Sequence, residues 1–275
     1  MRWQNRPQSD NIIDQRATSG GSRPVRLGLG GIIFIGVALY ALGGDPQAIL
    51  QALSGQLSNV QMQSQSGSGG PVSQFDNDDS KGVVSATLAS LEKTWGGIFR
   101  QNGREYQVAP LVLFRGVTET ACGLGQTASG PFYCPADGRV YLDLGFMDEL
   151  RALGGRGDFA LAYVVAHEIG HHVQTLINPS KMRSQRRSEE SVATELQADC
   201  LAGLWGHYAA REGDFIEQGD IEEGLKAAAA VGDDHIQRAT TGVVRPESFT
   251  HGSSQQRVEA FTRGFKAGDL GACSG

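Results

Sequence analysis

The stretch that most constrains this chain runs from Asp158 to Val173. Ala160, Val164, Val165, Ile169 and Val173 recur at helical spacing, and Asp158 stands where a side-chain oxygen can cap the first turn. Inside this apolar helix lies His167-Glu168-Ile169-Gly170-His171. Residues four apart on a helix share a face, so both imidazoles can reach one point. Buried polar groups need partners. A metal ion would satisfy both rings, and Glu168 would then sit beside the water on that ion.

A second element has to face this helix and complete the site. Ser188 to Arg211 reads as a further long helix, and it carries Glu195-Leu196-Gln197-Ala198-Asp199. An isolated ExxxD pair is most often a solvated helix face. Downstream of HExxH it acquires a role. Glu195 completes a set of two histidines and one glutamate, leaving a fourth position to water. Asp199 can accept a hydrogen bond from the second nitrogen of a ligand histidine and so fix its tautomer. The expected cofactor is one Zn2+ per chain. The chemistry of such a set is hydrolysis by an activated water, with Glu168 as general base and no serine or cysteine nucleophile.

The other histidines have weaker claims. His172 points about 100° away from His171 around the helix and is expected to be hydrogen-bonded or exposed rather than a ligand. His207 shares the approximate face of Glu195 and Asp199, either behind the ligands or as a satisfied core histidine. His235 reads as a turn or helix-start residue. His251, in Thr250-His251-Gly252-Ser253-Ser254, precedes a helix containing Val258, Phe261 and Phe265. It is the candidate for oxyanion stabilisation, with a helix-entry hydrogen bond as the plainer role. Tyr133 and Tyr141 are alternatives.

Around these helices the pattern is α+β. A helix is expected over 83–100 from Val84, Leu88, Leu91, Trp95 and Ile98. Strands are expected at Leu111 to Phe114 and Val140 to Leu144, and a short helix at Met147 to Leu153. Shorter helices would fill the C-terminal part. The expected architecture is a small, mostly antiparallel sheet before a helical half.

Leu27 to Gly44 reads LGLGGIIFIGVALYALGG. It has no charge and spans roughly 18 residues, near the lower limit for crossing the hydrocarbon core. Arg16, Arg23 and Arg26 precede it and Asp45 follows, which predicts a cytoplasmic N-terminus and an exported C-terminal bulk. A signal peptide and a buried core helix are the competing readings. Gln61 to Gly70, QMQSQSGSGG, cannot bury enough apolar surface to offset chain entropy. The expected organisation is a cytoplasmic segment over 1–26, a transmembrane anchor over 27–44, a Gln/Ser/Gly-rich linker over 45–82 and a folded domain over 83–275.

The formal net charge of −6 argues against a nucleic-acid partner. Four cysteines without a CxxC pair argue against a thiolate metal site. They allow three disulfide pairings. The short Gly-rich loop favours Cys122–Cys134, which leaves Cys200–Cys273. Free buried thiols in a cytosolic chain are the alternative.

Taken together, several stretches carry a resemblance. They are Cys122-Gly123 with Gly130-Pro131-Phe132-Tyr133-Cys134-Pro135, Val140-Tyr141-Leu142-Asp143, and Val165-Ala166-His167-Glu168-Ile169-Gly170-His171-His172-Val173-Gln174. Glu195-Leu196-Gln197-Ala198-Asp199-Cys200 and Phe249-Thr250-His251-Gly252-Ser253-Ser254 complete them. On these the chain resembles the bacterial neutral zinc metallopeptidases, membrane-anchored proteins of the zincin type. HExxH followed by ExxxD is also similar to gluzincins such as thermolysin. The resemblance implies zinc ligation by His167, His171 and Glu195 and a base role for Glu168. It implies a membrane-tethered, single-pass endopeptidase with its domain on the periplasmic or extracytoplasmic side. The bilayer and a protein or peptide substrate are its expected partners. A catalytically silent zincin serving as an envelope protein-binding module is the alternative; retention of Glu168 speaks against it.

Overall fold

The computed structural model describes residues 1–16, 78–126, 130–179 and 192–274. They form one compact unit. In chain order its elements are β1 (Ile12–Asp14), α1 (Asp78–Gln101), β2 (Leu111–Phe114), β3 (Val117–Thr120), β4 (Gly123–Gln126), β5 (Phe132–Cys134) and β6 (Arg139–Asp143). Then come α2 (Phe146–Ala152), α3 (Asp158–Ile177), α4 (Val192–Ala209), α5 (Asp220–Ala230), α6 (Asp233–Thr240) and α7 (Ser254–Ala267).

The sheet has the order β1-β2-β6-β5. β2, Leu-Val-Leu-Phe, is central and buried throughout, as expected of a continuous apolar run covered on both faces. Its side chains alternate between two clusters. Leu111 and Leu113, with Val140 and Leu142 of β6, enter the main core against the helices. Val112, Phe114 and Tyr141 join Cys134 on the other face. β3 and β4 form a separate antiparallel hairpin.

Two expectations about this half are corrected. The sheet is not mostly antiparallel: β1–β2 and β2–β6 are parallel, and only β5–β6 is antiparallel. Parallel neighbours need long crossover connections; α1 lies between β1 and β2, and the hairpin lies between β2 and β6. The domain also does not begin near Val83. Residues 78–82, expected to be linker, already belong to α1. Residues 1–16 belong to the domain as well. Ile12, Ile13 and Asp14 pair with Leu111, Val112 and Leu113. Ser9 and Asn11 donate to Glu92 of α1 at 2.7 and 2.8 Å. The Met1 amine pairs with Asp220 of α5 at 2.9 Å.

The expected anchor, Leu27 to Gly44, lies outside the described residues, as does most of the expected linker. Among the described residues no helix is long and apolar enough to cross a membrane.

The helical half is built on α3 and α4, which are buried over most of their length, as a helix apolar on all sides must be. The N-cap of α3 is Gly157, at φ 91°, and Asp158 follows as the first helical residue; no side-chain cap bond forms. Asp158 therefore supports the helix by charge near its N-terminus rather than as the cap. Trp95 of α1 and Trp205 of α4 are fully buried between these layers. Both expected disulfides are present: Cys122–Cys134 straps the hairpin to β5, and Cys200–Cys273 ties α4 to the C-terminal turn.

Candidate metal centre

α3 and α4 pack tightly together at Gly170. A Cβ there would meet the Ala198 carbonyl oxygen at 2.9 Å and its Cα at 3.1 Å. The missing side chain lets α4 approach α3 where Glu195 and Asp199 flank Ala198. Both carboxylates then reach the imidazole face of α3. α7 docks behind α4 by the same device: Gly203 lies against the Phe261 backbone, and Gly264 against that of Cys200.

His167, His171 and Glu195 present ligand atoms that all lie within 4.8 Å of one another, and all three residues are buried. Nε2 of His167 lies 3.1 Å from Glu195 Oε2, and Nε2 of His171 lies 3.5 Å from Oε1. Both Nδ1 atoms are occupied elsewhere. His167 Nδ1 donates to Asp199 Oδ1 at 2.8 Å. His171 Nδ1 lies 3.0 Å from Gln174 Oε1. Because a carboxylate only accepts, Asp199 keeps a proton on Nδ1 of His167 and leaves Nε2, facing Glu195, as the nitrogen that a metal ion would take in place of a proton. Glu168 is buried beside this cluster, and its carboxylate forms no hydrogen bond with another described residue.

Asp199 is itself held firmly. Arg257 of α7 donates from Nε to Oδ2 at 2.8 Å and from Nη2 to Oδ1 at 3.0 Å. Tyr163 donates its hydroxyl proton to Oδ1 at 2.6 Å and accepts from Arg257 Nη2 at 3.1 Å. Arg257 also donates to the Val231 carbonyl at 3.1 Å. All three residues are buried.

The electrostatics follow from these contacts. Burial opposes a charge on His167, but the carboxylate of Asp199, reinforced by its hydrogen bond and that of Glu195, raises the imidazole to about 10. His171 is likewise raised, against burial, by Glu195. Burial also opposes the charge on Glu195, yet the two imidazoles hold it far below the usual carboxylate range. Asp199 is held down to about 2 against its burial, chiefly by the Arg257 charge and then by His167. The cluster thus holds positive charge tightly at the point where the two Nε2 atoms and the carboxylate meet. A divalent cation meets the same demand, and two imidazoles with one carboxylate form a donor set suited to zinc.

The remaining expected residues make their contacts with other groups. His172 is no ligand: its Nδ1 lies 3.2 Å from the Tyr133 hydroxyl and its Nε2 donates to the Gln107 carbonyl at 2.6 Å. Burial lowers its pKa, in keeping with a neutral ring. His207 donates from Nδ1 to the Phe265 carbonyl at 2.7 Å and fastens α4 to α7. His235 lies in the first turn of α6. His251 is half exposed; its ring meets Thr250 at 2.8 Å and Asp233 at 3.5 Å rather than the cluster. Tyr141 donates to Asp137 at 2.8 Å.

Four contributors escaped the sequence reading: Tyr163, Gln174, Gln197 and Arg257. Each left a trace. Tyr163 is four residues before His167 and Gln174 three after His171, on the same helix face. Arg257 stands in register with Ala260, Phe261 and Gly264, the buried stripe of α7.

A family described as "Putative neutral zinc metallopeptidase" matches residues 1–275. The "Uncharacterized protein YpfJ" of Escherichia coli (strain K12) is 45% identical over 289 aligned residues, covering 100% of this chain and 98% of that protein. The "Uncharacterized protein Rv2575" of Mycobacterium tuberculosis is 41% identical over 204 residues, covering 69% of this chain and 68% of that protein. No solved structure matches this chain.

Proposed function

The chain belongs to the family of the "Putative neutral zinc metallopeptidase" description, and on that premise we propose that it is a zinc-dependent endopeptidase. The observation that carries the proposal is the direction of the two histidines. Both Nδ1 atoms are occupied, and both Nε2 atoms converge on the two oxygens of Glu195. Zinc held by His167, His171 and Glu195 would supply Lewis acidity, bringing a bound water toward a pKa of about 7 and polarising a carbonyl.

The chain's own groups do the rest. Glu168 lies next to His167 on α3, and its carboxylate makes no hydrogen bond to other described residues, so it is available to take a proton from the attacking water. It then returns that proton to the departing amine. Asp199 and its partners keep His167 oriented throughout. His251 is given no part in these steps.

The compartment proposed is extracytoplasmic, since two disulfides persist where thiols are not kept reduced. Membrane attachment through Leu27 to Gly44 is part of the proposal. The substrate class is exported protein or peptide.

The test compares wild type with Glu168→Gln, measuring bound zinc and hydrolysis of an unfolded protein substrate. Zinc should be retained in both chains, and hydrolysis should fall about 10²–10⁴-fold in the variant. Undiminished turnover by the pure variant would overturn the mechanism. Zinc binding without hydrolysis by the wild type would favour the silent module.

A further inference from the structure

His171 is oriented by a chain of neutral groups that ends at a disulfide. Gln174, one turn further along α3, faces its Nδ1 with Oε1 at 3.0 Å. The Gln174 amide nitrogen donates to the Thr194 carbonyl at 2.7 Å and to Gln197 Oε1 at 3.0 Å. Gln197 donates its own amide nitrogen to the Cys273 carbonyl at 2.8 Å. Cys273 is bonded to Cys200 of α4.

The polarity of this chain follows from its far end. A backbone carbonyl only accepts, so the amide nitrogen of Gln197 must face Cys273 and its oxygen must face Gln174. The amide nitrogen of Gln174 then has two acceptors, Gln197 Oε1 and the Thr194 carbonyl, which uses both of its protons. Its oxygen is left facing His171 and requires a proton from Nδ1. Nε2 is therefore the nitrogen left facing Glu195, where a metal ion would take the place of a proton. Rotating either amide would set a donor against a donor or an acceptor against a carbonyl.

We propose that Gln174 and Gln197 are positioning residues for the metal ligand His171, and that the Cys200–Cys273 disulfide anchors them by fixing the Cys273 carbonyl. The proposal rests on the zinc reading of the cluster. It makes the affinity for zinc depend on the redox state of a disulfide that touches no ligand. Opening that bond frees the C-terminal turn Leu270–Cys273, which carries the carbonyl at the end of the relay.

The test measures the zinc dissociation constant of the full chain by competition with a chromophoric chelator. Wild type, Gln174→Leu, Gln197→Leu and the double variant Cys200→Ser/Cys273→Ser are compared. Gln174→Leu should weaken binding about 10–100-fold, the usual consequence of removing the partner of a ligand histidine. Gln197→Leu and the double variant should weaken it less, by similar factors. The 15N imidazole spectrum of the zinc-loaded wild type should show His171 protonated at Nδ1, a signature that a purely structural glutamine would not control. Gln197→Leu leaves Gln174 in place, so it tests the relay even if Gln174→Leu folds poorly. A dissociation constant within twofold of wild type for both Gln197→Leu and the double variant would overturn the relay while leaving the zinc reading intact. Failure of the wild type to bind zinc would overturn the reading itself.

Discussion

His167 and His171 stand one turn apart on α3, yet they are braced by opposite chemistry. Behind His167 is a buried ionic network in which Asp199 accepts from Tyr163 and from Arg257 through both oxygens. Behind His171 are two neutral amides and a backbone carbonyl. A buried ion pair is strongly destabilising to break, because the surviving charge is stranded in the interior. A neutral hydrogen bond contributes far less on balance. The difference implies a division of labour. The His167 side ties α3, α4 and α7 together and is part of the fold. The His171 side adjusts one ligand and can be altered without dismantling the helices.

The largest effect should come where the two sides meet. Glu195→Ala removes the carboxylate that both Nε2 atoms face, and stoichiometric zinc should not survive dialysis. Atomic absorption on the purified chain checks this, and one tightly held zinc per chain in that variant would remove Glu195 from the site. Next comes Arg257→Leu. It strands Asp199 and should lower stability by about 3–5 kcal/mol, read as an earlier denaturant midpoint of the metal-free chain. Little change there would erase the contrast between the two braces.

Asp199→Asn leaves the buried Arg257 charge without its carboxylate and should cost stability of the same order as Arg257→Leu. An amide at 199 can offer His167 the wrong group, so zinc affinity should fall about 10–100-fold. Set beside Gln174→Leu, it asks whether the two sides differ in stability but agree in metal affinity. Chelator competition and urea titration of both variants give the four numbers needed. The smallest effect on the fold is expected from metal removal. The Asp199–Arg257–Tyr163 network holds the three helices without an ion, so chelation should abolish hydrolysis while far-UV circular dichroism stays unchanged. Loss of helical signal on chelation would assign the bracing to the metal instead.

What the sequence made legible was what local spacing encodes. The helices α3 and α4, the central strand Leu111 to Phe114, and the alignment of HExxH with ExxxD all follow from periodicity and register. The pairing of Cys122 with Cys134 followed from a short loop. Long-range partners were not legible. β1 is three residues, Ile12-Ile13-Asp14, flanked by polar and charged neighbours, and its parallel pairing with a strand almost a hundred positions away leaves no local mark. Its addition moved the start of the domain and changed the sense of the sheet. Arg257 was hidden because a charge on an amphipathic helix reads as solvated, although its register with Phe261 places it inside. The glutamines were hidden because an amide is recognised as a positioning group only once its acceptors are known. His251 was singled out by its motif; its ring lies 2.8 Å from the Thr250 hydroxyl and 3.5 Å from Asp233.

The central claim is that two imidazoles and one carboxylate share a single zinc. X-ray absorption at the zinc edge, on the full chain loaded with one equivalent, tests it most directly. The account predicts scattering from two imidazole rings, with the remaining donors oxygen and no sulfur. A sulfur shell, or a single imidazole, would contradict it.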